Sequence, residues 1–416
     1  MQSCFAKRFV AVGGAVAFAL VAGSGTAAKA QSDTIVLGAA VSQTGKYATN
    51  GKHTANGYDL AVERINEMGG VKVGDKSYKL SIKYYDDESD AARAAELTER
   101  LVNQDGIKFI LGPYGSPITA AMAPITEKHK VPMVEGNGAS RGIFSKGYRY
   151  VFAVLSTSDQ YLSSAIDLAA EKAQEAGKDP AELTLALAMG DDNFSQDVRA
   201  GILEAAKKHN MQVVIDDKLP DAFTDMSATL TKVKAVQPDV LLISGHEKGA
   251  LTASRQVAEM RVYAPMLAMT HCDSADIIGE IGAGAEYTLC ASQWAPSLTY
   301  SGKWMGSAQD YTKDFTEKFG YEPPYQAAES TAAVLTFADA FERAGSLDTE
   351  QLRDAIAATD LETFYGRIDF DETGKNTAKP MVLFQVLNGE YEVVAPTKWA
   401  TGKAVYPAPT WDERGS

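Results

Sequence analysis

Two serines set in glycine turns are the residues of this chain best suited to hold an anion. Ser116 follows Gly112-Pro113-Tyr114-Gly115 and precedes Pro117, which predicts a helix N-cap with proline in the first turn. Unpaired backbone N–H groups and the positive end of a helix dipole gather at such a point, which suits a carboxylate. Ser140 closes a similar turn, Gly136-Asn137-Gly138-Ala139. Farther along, three polar loops carry Phe194, then His246 and Glu247, then His271 and Asp273. Nothing in this set reads as an activated nucleophile. The chain has no G-x-S-x-G elbow, no Walker A sequence and no G-x-G-x-x-G after a strand. His246-Glu247 lacks a histidine four residues on, where Ala250 stands, so the zincin pattern fails. The expectation is binding without turnover, metal or cofactor. A secreted hydrolase is the rival class, and it needs a base beside Ser116 that the sequence does not put there.

The elements that must position these loops alternate between strand and helix. An apolar run at 109–111 leads into the first turn, a helix follows it, and a strand at 131–134 leads into the second turn. This is one parallel βαβ unit, with both turns at the carboxyl ends of neighbouring strands, where open α/β sheets bind ligands. Before it come a strand at 33–41, a polar loop at 42–51 holding Tyr47 and Asn50, a helix through Tyr58 and Ile65, a strand at 80–85 and a helix at 91–104. The pattern restarts with a helix at 159–176. Strands then follow at 183–188, 212–215, 240–243 and 266–269, with helices between them. Three more helices and a hairpin-like ending complete the chain, with Tyr325 just ahead of the second of those helices. The spacing predicts two successive α/β sheets.

The first thirty residues read as a secretory leader. Lys7 and Arg8 precede the apolar run 9–22, and Ala28-Lys29-Ala30 offers a cleavage site, so the mature chain is expected to start near Gln31 in a bacterial periplasm. The remaining length, about 385 residues, is more than one core usually serves. Forty basic residues stand against 54 acidic ones, for a net charge of −14, and no basic run offers a grip on nucleic acid. Cys272 and Cys290 remain after the leader, and an oxidising compartment leaves both a disulfide and two buried thiols open.

The order of motifs resembles a known family. After the leader come IVLGAAVSQTGKYATNG, NGYDLAVERINEMGG, YYDDESD, FILGPYGS, VPMVEGNGAS, GDDNFSQDVRAGI, the helix SATLTKVKA and GRIDFDETGK. This resembles the type I periplasmic solute-binding proteins of the branched-chain amino acid (leucine/isoleucine/valine-binding) class, over essentially the whole mature chain. The resemblance implies a two-lobed α/β Venus-flytrap fold, each lobe a mostly parallel sheet flanked by helices, with three crossovers. It implies lobe 1 at 31–155 plus 294–380 and lobe 2 at 156–293 plus 381–416. It also implies a monomer that delivers its ligand to the permease of an ABC importer.

Carried over residue by residue, the family's carboxylate-binding serine matches Ser116, and its second-turn contacts match Gly138 and Ser140. The lobe-2 ring matches Phe194, and a second lobe-2 contact falls at His246, beside Glu247. The aromatic ahead of a helix matches Tyr325, and a pocket-wall position matches Asn50, with Tyr47 close by. One position departs. Where the family commonly has an acid to pair with an α-ammonium, this chain has His271, with Asp273 and Glu247 near enough in sequence to substitute. An apolar amino acid is the expected ligand. An aromatic or other non-amino carboxylic acid is the alternative, its far end meeting His246 and His271.

Overall fold

The computed structural model describes residues 33–414. The leader and its cleavage site lie outside them. The first part of the chain runs β1 (Thr34–Val41), α1 (Ala48–Glu67), β2 (Val71–Val73), β3 (Lys76–Asp86), α2 (Ala91–Asn103), β4 (Ile110–Leu111), α3 (Ser116–His129), β5 (Met133–Glu135), α4 (Arg141–Phe144) and β6 (Val151–Ala153). These strands form one sheet in the order β2-β3-β1-β4-β5-β6. All its neighbours are parallel except β2 on β3. Its central strands are continuous apolar runs because helices cover both faces.

The chain continues through α5 (Ser163–Glu175), β7 (Thr184–Gly190), α6 (Asn193–Lys208), β8 (Gln212–Leu219), α7 (Ser227–Val236), β9 (Val240–Ser244), α8 (Glu247–Glu259), β10 (Met266–Thr270), α9 (Ile277–Ile281) and β11 (Leu289–Ser292). After the short pair β12 (Ser301–Gly302) and β13 (Gly306–Ser307) come α10 (Ala308–Phe319), α11 (Tyr325–Ala344), α12 (Thr349–Ala357), β14 (Asp360–Thr363), β15 (Gly366–Asp369), β16 (Val382–Leu387) and β17 (Glu390–Ala395). The second sheet has the order β17-β16-β11-β10-β9-β7-β8, with β16 and β17 added antiparallel at one edge.

The backbone passes between the sheets three times: after β6, after β11 and before β16. Between the last two crossings, α11 returns to the first sheet and packs on α1. There Gly57 leaves room for the Ala327 carbonyl, which an added Cβ would meet at 2.2 Å. Farther on, Asn376 N–H donates to Ala153 O in β6. The three crossings are braced to one another. Ser156 N–H donates to Gln293 Oε1 (3.1 Å) and Gln293 Nε2 donates back to Ser156 O (2.7 Å). Ser156 Oγ donates to Lys379 O (2.7 Å), and the buried Lys379 ammonium donates to Gln293 O. Burial pulls the Lys379 amine down to about 7, against the attraction of buried Glu329.

Three boundaries differ from the expectations. The first helix begins at Ala48, not after Gly51. Gly51 is a close-packing residue rather than a turn, since a Cβ there would meet Ser42 O at 1.9 Å. The helix expected over 159–176 is a single 3-10 turn, Ser158–Gln160, and then α5, because Ser158 directs its N–H and hydroxyl to Ala139 O. Ser116 is not a cap. Gly115 takes that place at φ +93°, and Ser116 is the first helical residue, with Pro117 second.

Candidate functional site

That one-residue shift decides what Ser116 does. As a cap, its hydroxyl would fold back onto the first turn of its own helix. In the first helical position it makes no such bond. Instead, Ser116 Oγ accepts the Ser140 N–H across to the second turn (3.0 Å), which leaves its own proton free to donate. Ser116 is almost fully buried, and the unpaired N–H groups of α3 begin beside it. The second turn is held from below by Glu135, whose carboxylate accepts from Asn137 N–H and Gly138 N–H, and burial pushes this acid up to about 8. The Gly138 N–H is thus used within its own turn. Its lack of a side chain is needed because a Cβ would strike Thr119 Oγ1 at 2.4 Å.

Ser116 opens on a small cavity where the two sheets face each other. The first-sheet turns contribute Tyr114, Gly115, Ser116, Asn137 and Ala139 to its wall. The opposite wall is Phe194 at the start of α6, His246 after β9 and His271 after β10, with Tyr161 beside them. Tyr325 and Glu329, one turn apart on α11, close it. Rings dominate. Phe194 lies 5.1 Å from His271 and 5.5 Å from His246, and Tyr161 stands edge-on to Phe194 at 5.0 Å, centroid to centroid.

Of the residues singled out from the sequence, Ser116, Phe194, His246, His271 and Tyr325 line this cavity together. Ser140 and Gly138 stand one bond behind it. Tyr47 packs on His246 at 5.0 Å, and Asn50 Nδ2 donates to Glu247 Oε2 (3.3 Å), so Tyr47, Asn50 and Glu247 form a second layer. Asp273 faces away. It accepts from Ser292 Oγ (3.0 Å), burial raises it to about 6, and it lines a larger cleft of about 810 Å³ with Tyr391 and Trp294, on the other side of Tyr325. The carboxylate that does reach the inner cavity is Glu329, which the sequence reading passed over as part of an apolar helix. It lies four residues after Tyr325, so on the same helical face.

The largest omission is Tyr114. Its hydroxyl lies 3.0 Å from His246 Nδ1 and 3.1 Å from His271 Nε2, joining a first-sheet turn to two second-sheet loops. Asp192 stands behind His246. It caps α6 by accepting from Phe194 N–H and Ser195 N–H, and its Oδ1 is 3.4 Å from His246 Nε2. Burial would raise this carboxyl, but His246 and the helix N–H groups outweigh burial and hold it at about 2. The Tyr114 hydroxyl has one proton, so it donates to one of these imidazole nitrogens and accepts from the other. His246 Nε2, His271 Nδ1, Asn137 Oδ1 and Tyr47 Oη are buried without a hydrogen-bond partner. Burial, with His246 adding to it, pulls His271 down to about 3 and keeps it neutral.

Polar links across the mouth accompany this contact. Lys46 pairs with Asp221 (2.5 Å), and Arg141 with Asp197 (2.8 Å). Cys272, next to His271, is disulfide-bonded to Cys290 of β11. Among the described residues, no group of three or more His, Cys, Asp or Glu is placed to hold a metal ion, and no helix is long and apolar enough to cross a membrane.

A family profile described as periplasmic binding protein matches residues 34–390. The chain belongs to that family. A Leu/Ile/Val-binding protein homolog of Brucella suis is 24% identical over 408 residues, covering 92% of this chain and 96% of the relative. The leucine-, isoleucine-, valine-, threonine- and alanine-binding protein of Pseudomonas aeruginosa is 24% identical over 342 residues, covering 82% and 87%. Among solved structures, the branched-chain amino acid transporter substrate-binding protein LivJ of Streptococcus pneumoniae, in complex with isoleucine, superposes with a TM-score of 0.74 at 24% identity. It covers 87% of this chain and all of the other. A solute-binding protein of Rhodopseudomonas palustris in complex with 3,4-dihydroxybenzoic acid gives 0.76 at 20% identity, covering 90% and 99%. The two sheets and three crossings are the two-lobed fold of these binding proteins.

Proposed function

We propose that this protein is the periplasmic substrate-binding component of an ABC importer, with an apolar amino acid of the branched-chain type as its ligand. The lobes are taken as 31–155 with 294–380 and 156–293 with 381–416. The ligand carboxylate sits at Ser116, on the free hydroxyl proton and the first N–H groups of α3. The observation that carries the reading is the pairing of this donor end with a buried, unpartnered acceptor of a residue on the same cavity, Asn137 Oδ1. Unpartnered buried acceptors are costly unless a ligand brings donors to them, and an α-ammonium brings three. The ammonium is therefore met by a neutral amide oxygen instead of the family's usual acid. The names of the relatives support the same class of ligand. The mechanism is closure of the lobes about the ligand, with contacts from both lobes favouring the closed form. The loaded monomer then meets a permease, and no catalysis is involved.

A second reading has its own support. The wall opposite Ser116 is built of rings, and structural neighbours hold benzoate and 3,4-dihydroxybenzoic acid. An aromatic acid uses the same carboxylate end. A thermal-shift screen separates the two, because a ligand that binds only the folded state raises its melting temperature. Leucine, isoleucine and valine are set beside their 2-oxo acids and beside hydroxylated benzoates. Stabilisation by the amino acids supports the first reading. Stabilisation by the deaminated or aromatic acids alone overturns it in favour of the second.

A further inference from the structure

We propose that Tyr114 is a latch that closes the cleft on itself and competes with the ligand. The inference rests on the clamp described above. Its motive is a conflict of space. With the Tyr114 hydroxyl between His246 Nδ1 and His271 Nε2, the room left among the cavity walls is about 10 Å³, enough for about one water. A carboxylate ligand with any side chain is several times larger. The latched arrangement and the loaded arrangement therefore exclude each other.

The latch has the marks of a built contact. Tyr114 is 3% exposed and has an aromatic edge contact with Tyr47 at 5.4 Å. Its oxygen can both donate and accept, it lies within hydrogen-bond distance of both imidazoles, and Asp192 Oδ1 stands 3.4 Å from the far nitrogen of His246. Tyr114 belongs to the turn that ends in Ser116, whereas both histidines belong to loops of the second sheet. Separating the sheets breaks both hydrogen bonds at once, and so does swinging the ring aside. A ligand entering at Ser116 must do one or the other. Its apparent affinity is then reduced by the fraction of protein held latched. Tyr114 thereby tunes affinity from inside the site.

The test is Tyr114→Phe, which keeps the ring and removes only the oxygen that makes the latch. Small-angle scattering without any added ligand is the first arm. The wild type is expected to be compact and the variant measurably expanded, and equal radii of gyration overturn the latch. Calorimetry with L-leucine, and separately with benzoate, is the second arm. Two net hydrogen bonds lost from the competing state predict binding on the order of tenfold tighter in the variant. Unchanged or weaker binding overturns the proposal, because Tyr114 would then support the ligand. His271→Leu breaks the latch from the other side and must expand the protein likewise. If neither probe binds either protein, the ligand reading fails, and the scattering arm still decides the latch.

Discussion

The two faces of the cleft are made differently. On the first-sheet face, the polar groups that matter are backbone and hydroxyl: the N–H groups at the start of α3, Ser116 Oγ, and the Ser140 N–H bonded to it. On the second-sheet face they are rings: Phe194, His246 and His271, ordered by Asp192 and by one tyrosine from across the cleft. Backbone geometry changes little under substitution, so the first face suits a feature that every ligand shares. Side chains change with a single codon, so the second face suits the feature that tells one ligand from another. On the proposed reading, the fold recognises the carboxylate and this chain's own side chains recognise the rest of the ligand.

The sharpest way to break this division is to loosen only the second face. Removing the Cys272–Cys290 bridge with the paired substitution to serine releases a loop of 18 residues' separation beside His271. A crosslink of that span contributes about 3 kcal/mol, read as a lower midpoint in urea. If the division is right, carboxylate ligands still bind in the refolded variant but discriminate less among side chains. Next in size is Ser116→Ala on the first face. It removes a charge-assisted donor and leaves the Ser140 N–H without its acceptor, so affinity for any accepted ligand falls tenfold or more in calorimetry. An unchanged dissociation constant removes Ser116 from the site.

Acidification reaches the second face through His271, and comparison with a His271 variant isolates its share. His271 has a lower affinity for protons in the closed protein, near 3, than the 6.5 of an ordinary histidine. A proton therefore binds the unfolded or opened chain more tightly, so the stability held above pH 6.5 declines as the pH falls toward 3. Melting curves should show this slope in the wild type and a shallower one in His271→Gln. Equal slopes place the titration elsewhere. The smallest effect belongs to the rim. Lys46→Ala deletes an exposed pair with Asp221 and should change affinity less than about threefold, and less still at high salt.

The same division explains what could be read from the sequence. Strand–turn–helix alternation and the glycine turns announced the two sheets and the place of Ser116, because those signals are local. Even the error at Ser116 was a single residue, and it arose because Gly115, at φ +93°, could take a turn that serine could not. Tyr114 escaped notice although it lies two residues before Ser116, since nothing local says that a turn tyrosine will find His246, 132 positions on. Glu329 was hidden in a helix whose neighbours are apolar, and its exposure to the cavity comes from the way α11 packs on α1. Both are tertiary facts. The bracing of the three crossings is tertiary as well, for Ser156, Gln293 and Lys379 meet only in the folded chain.

The central claim is that the first face holds a carboxylate at Ser116, and the most direct measurement is calorimetry with acids and their alcohols. L-leucine is compared with leucinol, and benzoate with benzyl alcohol, each pair differing only in the carboxylate. The account predicts that an acid binds, that its alcohol does not, and that Ser116→Ala abolishes most of the difference. An alcohol that binds as tightly as its acid, or no heat from either acid, contradicts it.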